Sequence, residues 1–380
     1  MARLDEICAI NMGQSPDSST YNEDSNGLPF FQGNADFGEI YPTVRMWCSE
    51  PTKIAREKDV LLSVRAPIGA LNIANCECCI GRGLAALTVN EDICVQEYLW
   101  HVLSSKVDEL NSKGTGSTFK AINKKTLTET EIPLPPLDEQ RKIAAVLDKV
   151  GDLITKRRQQ LDKLDELVKS RFIEMFGDPV INTLGWKQEL LSNVTSKIGS
   201  GATPRGGKES YQSEGITLIR SMNVHDGRFE YKNLAYITDV QAAQLDNVTV
   251  EASDVFINIT GASVARSCIV PSEVLPARVN QHVAIIRCIR NLINPTFANN
   301  MFLNDRFKGQ LLDIGESGGA TRQAITKQQL ETLTVIVPPM ELQDQFAAFV
   351  TQVDKSKLAI QKSLEKLEIL KKALMQKYFG

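Results

Sequence analysis

A long stretch of this chain is written twice, 203 residues apart. Gly116-Ser117-Thr118-Phe119-Lys120-Ala121-Ile122 corresponds to Gly319-Ala320-Thr321-Arg322-Gln323-Ala324-Ile325. The register then holds without a gap through Pro135-Pro136 and Pro338-Pro339, Gln140 and Gln343, Ala144-Ala145 and Ala347-Ala348, and Leu164 and Leu367. It closes on Phe176-Gly177 and Phe379-Gly380. A match kept for about 60 residues without an insertion marks a duplicated structural unit, and a repeat has to be settled before any fold is assigned. Two copies with so long a period are not a solenoid. They predict an α+β molecule of two similar halves, related by a pseudo-two-fold axis and presenting two similar surfaces.

Four segments follow from the repeat. Residues 1–137 mix short β-like runs, such as Val60-Leu61-Leu62-Ser63-Val64, with turns at Asn26-Gly27, Pro67 and Gly69. Residues 181–340 repeat that texture. Gly215-Ile216-Thr217-Leu218-Ile219-Arg220 parallels Gly27-Leu28-Pro29-Phe30-Phe31-Gln32, and Asp254-Val255-Phe256-Ile257 parallels Asp59-Val60-Leu61-Leu62. These matches are weaker than the later ones, so the copies have diverged most in their central parts.

Residues 138–180 and 341–380 are helical in pattern. From Asp138 to Met175 there is no proline, and the only glycine is Gly151. One heptad series is Ile143, Val150, Arg157, Leu164 and Arg171; the other is Leu147, Ile154, Leu161, Val168 and Met175. The second copy gives Phe346, Val353, Ile360, Leu367 and Leu374, with Val350, Lys357, Leu364, Lys371 and Tyr378. Such spacing, with charges elsewhere, is a coiled-coil seam. The first helix leaves one β-rich segment and delivers the chain to the other; the second has to run back along it to bury its stripe. The expectation is two similar globular domains held apart by a long antiparallel two-helix coiled coil. The alternative is that each helix packs across its own domain.

Charge bears on partners. Residues 1–137 carry 12 Lys+Arg against 18 Asp+Glu, or 12 − 18 = −6; residues 180–340 carry 15 against 14, or +1; the whole chain is −3. No segment is a polycation, so any nucleic acid must be held by local loops, with a partner supplying much of the phosphate attraction. No apolar run approaches the roughly 18 residues that span a bilayer. The acidic N-terminus, Met1-Ala2-Arg3-Leu4-Asp5-Glu6, is unlike a secretory signal, so a cytoplasmic protein is expected. Of eight cysteines, only Cys76 and Cys79 have zinc-ligand spacing and no second pair follows, which makes reduced, packed thiols the expected state and leaves no metal site.

The catalytic inventory is thin. Gly199-Ser200-Gly201-Ala202-Thr203-Pro204-Arg205-Gly206-Gly207-Lys208 fails as a phosphate loop, because Ala202 stands where the first glycine belongs and Glu209 replaces the Ser or Thr that would ligate magnesium. No dinucleotide fingerprint, nucleophile elbow or HExxH pair is present. No catalytic residue is assigned. What remains is recognition chemistry on turn-rich loops, whose Arg, Lys, Gln, Asn and Thr side chains can reach base edges and phosphates. The candidates are Gln32, Asn34, Arg65, Arg82, Thr118 and Lys120 in the first copy. In the second they are Arg205, Arg220, Asn223, Arg266, Thr321 and Arg322.

Gly-Ser-Thr-Phe-Lys-Ala-Ile (116–122) running into Ile132-Pro133-Leu134-Pro135-Pro136-Leu137-Asp138-Glu139-Gln140-Arg141-Lys142-Ile143-Ala144 resembles the specificity subunits of type I restriction-modification systems. Arg65-Ala66-Pro67-Ile68-Gly69 and Gly199-Ser200-Gly201-Ala202-Thr203-Pro204 are similar to runs in the same family. The second helix start, Met340-Glu341-Leu342-Gln343-Asp344, departs from the family's form and rests on register with the first copy.

The resemblance covers essentially the whole chain. It implies target-recognition domains at 1–137 and 181–340, with helical regions at 138–180 and 341–380. It implies a non-catalytic subunit that binds double-stranded DNA at an asymmetric bipartite target, one half-site per recognition domain, with the gap set by the helices. Two modification subunits, which bind S-adenosylmethionine, and restriction subunits using ATP and magnesium are the implied partners; no membrane is involved. This chain itself is implied to hold no cofactor. The competing reading is a coiled-coil protein–protein scaffold without nucleic acid.

Overall fold

The computed structural model describes residues 1–116, 120–316 and 323–380. The chain forms two compact units, one of residues 1–158 with 362–380, the other of residues 159–361. Each long helix, Leu137–Phe176 and Met340–Phe379, therefore contributes residues to both units.

The first unit is built on a four-stranded antiparallel sheet in the order Cys8–Met12, Leu84–Val89, Val60–Ser63, Leu71–Ile73. Every residue of Val60–Ser63 is buried. This explains why that strand reads as an unbroken apolar run, since a strand covered on both faces has no solvent side to mark with polar residues. Val60, Leu62, Ala85 and Leu87 pack on Tyr98, Leu99, Val102 and Leu103 of the helix Gln96–Ser105. Leu61, Leu84 and Ala86 face the other way, onto Phe31, Ala55 and Ile80. Phe31 and Ile80 belong to a second sheet in which Leu28–Phe31 runs parallel to Cys78–Ile80. A two-stranded clasp, Ala2–Arg3 with Glu131–Ile132, stands before the long helix.

The second unit repeats the plan. Its sheet runs Thr195–Ser200, Val283–Cys288, Val255–Asn258, Ser267–Ile269. Val255, Ile257, Ala284 and Ile286 pack on Phe297, Ala298, Met301 and Phe302 of the helix Pro295–Leu303. Phe256, Val283 and Ile285 face Leu218, Ile219 and Val279, from the parallel pair Ile216–Ile219 and Ala277–Val279. The clasp is Gln188–Leu190 with Thr334–Ile336. Strand order and central register match the first unit: Ala85 opposite Leu62 in one, Ala284 opposite Ile257 in the other.

Two buried glutamines tie helix starts to these cores. Gln140 Oε1 accepts from Val95 N at 2.9 Å, while its Nε2 donates to Ile93 O and Pro135 O. Gln343 Oε1 accepts from Asn294 N at 2.8 Å, while its Nε2 donates to Leu292 O and Pro338 O. Both side chains are 0% exposed. Each satisfies three backbone groups at the loop that launches the domain's own helix, and a buried amide of this kind is retained only when its bonds are made.

The helix ends dock differently from their starts. In the first unit Phe379 lies 5.6 Å edge-on to Tyr98 and packs beside Ile143 and Leu147. In the second, Phe172 and Phe176 pack against Phe297 and Phe346 with centroids 4.7–5.6 Å apart. So a helix starts in one unit and ends in the core of the other. The sequence expectation took each helix from one domain to the other but not the packing of its end into that core, because Phe172, Phe176 and Phe379 fall outside both heptad series. Gly177 ends the first helix at φ +71°, where a Cβ would come within 2.3 Å of Thr183 Oγ1.

Seven of the eight cysteines are buried and all are free. Burial pushes the thiols of Cys8, Cys78, Cys94, Cys268 and Cys288 up to about 12, so they stay protonated and act as small apolar side chains. Among the described residues no group of three metal-ligating side chains gathers, and no helix is long and apolar enough to cross a membrane.

Candidate nucleic-acid interface

In each unit the loops at one end of the four-stranded sheet are knitted by backbone hydrogen bonds. In the first, Gly81 N donates to Phe31 O at 2.8 Å and Gly83 N to Gln32 O at 3.1 Å. Val64 N donates to Gly83 O at 2.9 Å, Ile122 N to Val64 O at 2.9 Å, and Ala66 N to Lys120 O at 3.1 Å. Arg65 pairs with Ala121 in a single bridge. This chain of contacts brings together Gln32, Arg65, Arg82 and Lys120, all of them exposed. Asn34 follows on the turn after Gln32, half-buried, with its carbonyl closing that turn through Phe37 N. Thr118 lies outside the described residues.

The second unit repeats most of these bonds. Asn280 N donates to Ile219 O at 3.0 Å, Ile259 N to His282 O at 3.0 Å, and Ile325 N to Ile259 O at 2.8 Å. Thr260 bridges Ala324 as Arg65 bridges Ala121. The loops here carry Arg220, Thr260, Gln281, His282 and Gln323. Thr321 and Arg322 lie outside the described residues.

Close backbone approach fixes one loop in each unit. A Cβ on Gly13 would sit 2.2 Å from Gly81 O, and one on Gly201 would sit 1.8 Å from Val279 O. Only glycine lets the following segments, Gln14-Ser15-Pro16 and Ala202-Thr203-Pro204, lie against the turn that opens the central strand.

The second-copy candidates divide on inspection. Arg205 is exposed on the loop after Thr203. Arg266 is half-buried, its guanidinium 3.5 Å from His225 Nδ1. Arg220 is half-buried; its guanidinium stacks over Tyr211 at 5.4 Å and donates to Asn233 O, so much of its hydrogen-bonding capacity is spent locally.

Asn223 is a correction. It is 0% exposed, its Oδ1 accepts from Arg220 N, and its Nδ2 donates to Glu230 O and Lys232 O. That amide builds the turn and presents nothing to a ligand. Asparagine serves both uses, and its turn-forming habit was the signal to weigh.

Sequence reasoning passed over a polar run in the second unit. Thr203 Oγ1 donates to Gln281 Oε1; Gln281 Nε2 lies 3.2 Å from His282 Nε2; His282 Nδ1 lies against Thr260 Oγ1. Three loops, distant in sequence, supply it, and Gln281 is its exposed member.

The family model described as the type I restriction modification DNA specificity domain matches residues 1–165 and again residues 186–371. A putative type I restriction enzyme MjaX specificity subunit from Methanocaldococcus jannaschii is 43% identical over 160 residues, 42% of this chain and 38% of that relative. The MjaIX specificity subunit of the same organism is 26% identical over 338 residues, covering 84% of this chain and 76% of that one. The crystal structure of a type I restriction-modification S subunit from M. genitalium superposes with a TM-score of 0.62 at 14% identity, covering 100% of this chain and 95% of the other, a likeness of fold.

Proposed function

Because the chain belongs to the family of type I restriction modification DNA specificity domains, we propose that it is the target-recognition subunit of such an enzyme, reading a split DNA sequence with one half-site per unit. The observation that carries this reading is the recurrence, in both units, of the same hydrogen-bonded loop end with different exposed polar side chains on it. One architecture used twice is what reading two half-sites requires. Divergent side chains make the halves unlike, so the target is asymmetric.

The helices are the spacer in this reading. Support comes from within each unit. Arg158 pairs with Glu368 at 2.8 Å in the first, and Lys357 pairs with Asp165 in the second. As one partner's number rises the other's falls, the order expected of an antiparallel pair. The repeat then relates the two halves by a pseudo-two-fold axis, with recognition regions at 1–137 and 181–340 and helical regions at 138–180 and 341–380.

Recognition rather than chemistry is this subunit's part. Modification subunits carrying S-adenosylmethionine methylate adenine, and restriction subunits use ATP and magnesium; all act on DNA in the cytoplasm. The modest net charge fits a subunit whose partners share the phosphate contacts.

Co-expression with the modification subunit, followed by single-molecule mapping of methylated adenines, tests the reading. A split, asymmetric motif with a fixed gap is expected. A soluble complex that leaves DNA unmethylated, or a palindromic motif, would overturn it.

A further inference from the structure

Arg82 and Gln281 occupy the same place in the two units. Each is the middle residue of the three-residue turn that opens an interior strand of the four-stranded sheet, Leu84–Val89 or Val283–Cys288. The residue before each donates to the matching carbonyl, Phe31 O or Ile219 O, and the carbonyl after each accepts from the matching amide, Val64 N or Ile259 N. A hydroxyl from the glycine-clamped loop meets each residue: Ser15 Oγ accepts from Arg82 N at 3.3 Å, and Thr203 Oγ1 donates to Gln281 Oε1. Resting on the DNA-recognition reading above, we propose that this turn carries the base-reading side chain of each unit, with Arg82 reading a guanine and Gln281 reading an adenine.

A base-reading side chain needs a fixed root and an exposed head with bonding capacity left over, since recognition fails when the root drifts by more than about 0.5 Å. Both roots are fixed. Around Arg82, a Cβ on Gly81 would meet Gln32 Cα at 2.9 Å and one on Gly83 would meet Gln32 O at 2.5 Å, so the turn is pressed onto its neighbour. Around Gln281, the buried Asn280 accepts from His282 N through Oδ1 at 3.0 Å. Both heads are exposed.

The chemistry assigns the bases. A guanidinium has only donors, and its fork matches the paired acceptors O6 and N7 of guanine. A glutamine amide offers one acceptor and one donor side by side, the complement of adenine N6 and N7. At Gln281 the amide is already oriented. With Thr203 donating to Oε1 and Nε2 donating to His282 Nε2, the imidazole carries its proton on Nδ1 and donates to Thr260 Oγ1. The amide's two partners then settle which end of it is oxygen and which is nitrogen. Gln281 retains one lone pair and one N–H, the number that a bidentate contact to adenine consumes. The equivalents of His282 and Thr260 in the first unit are Gly83 and Arg65, so Arg82 has no such brace and needs none to present a symmetric fork.

The full chain in complex with its modification subunits, challenged with a library of random-sequence duplex DNA, tests this. Bound fragments are sequenced for the wild type, Arg82→Gln, Gln281→Arg and Thr203→Val, with thermal melting as the check on folding. Gln281→Arg is expected to move one position of one half-site from adenine to guanine, a change in preference of about 10- to 100-fold, leaving the other half unchanged. Arg82→Gln is expected to do the reverse in the other half. Thr203→Val, which frees the Gln281 amide without removing it, is expected to weaken discrimination at the Gln281 position alone. A split wild-type motif that these substitutions leave intact, or weaken evenly at all positions, overturns the assignment and leaves the recognition reading standing. A wild-type complex without any sequence preference overturns both.

Discussion

The two units share a core and differ at its rim. Leu62 and Ile257, Ala85 and Ala284, Gln140 and Gln343 occupy matching places and do the same work. A few ångströms further along the same strands, Arg65 faces Thr260, Arg82 faces Gln281 and Gly83 faces His282 across the equivalence. Packing at interior density tolerates little change, because each lost methylene costs both transfer and cavity energy. Side chains at the loop end touch solvent and each other, and are free to vary. The comparison teaches that duplication preserved the frame while the contact chemistry was rewritten.

The strongest way to break the comparison acts on the helices. Removing one heptad from each, residues 157–163 and 360–366, keeps the apolar register of both and shortens the paired segment by about 10 Å. The target's gap is expected to shrink by about 3 base pairs, at roughly 3.4 Å each, with both half-sites unchanged. A methylation motif with the original gap would show that the helices do not set it.

Next in size is the matched pair of glutamines. Gln140→Leu and Gln343→Leu each leave two carbonyls and one amide at the edge of the core without their partner, and each is expected to lower stability by about 2–4 kcal/mol. Hydrogen exchange resolved by peptide locates the loss, in the first unit for one variant and in the second for the other. Tolerance of one substitution but not its twin would break the claim that the cores are equivalent.

The smallest expected effect separates the units by pH. His101 is buried in the first unit, 2.7 Å from Asp148 and within the fields of Lys371 and Glu97. Burial pushes its pKa below the usual 6.5, and the bond to Asp148 does not offset that. Unfolded, the ring takes up a proton near pH 6.5; folded, it does so only at lower pH. The first unit is thus expected to keep its stability above pH 6.5 and to lose some as pH falls from there towards the lowered folded value. The second unit has Asn300 at the matching position, six residues after the helix cap, and His101→Asn should flatten the first unit's response. Peptide-resolved exchange at pH 7.5 and 5.5 checks this; an unchanged acid response in the variant would point to another group.

Particular residues show how far sequence carried. The heptad series identified both helices, and all of its apolar members are buried or half-buried. Phe172, Phe176 and Phe379 escaped because they lie off the stripe, on the side that meets a core the periodicity does not describe. Arg65 and Arg82 were legible as exposed turn cations. Asn223 was misread, since an asparagine that builds a turn and one that reads a base have the same letter. Gln281 was passed over because nothing near it in sequence distinguishes it; Thr203 and Thr260, two of the partners that orient it, lie 78 and 21 residues away.

By itself the sequence determined the duplication, the helices with their apolar stripes, the β-rich character of the other segments and the family. Each of these is periodic or local, and periodicity survives in one dimension. Only the tertiary structure decided that each helix ends in the other unit's core, which loops converge at the sheet end, and which polar side chains there are spent on the protein itself. Those outcomes depend on hydrogen bonds between segments tens of residues apart, and a backbone group's partner is settled only when the chain closes around it.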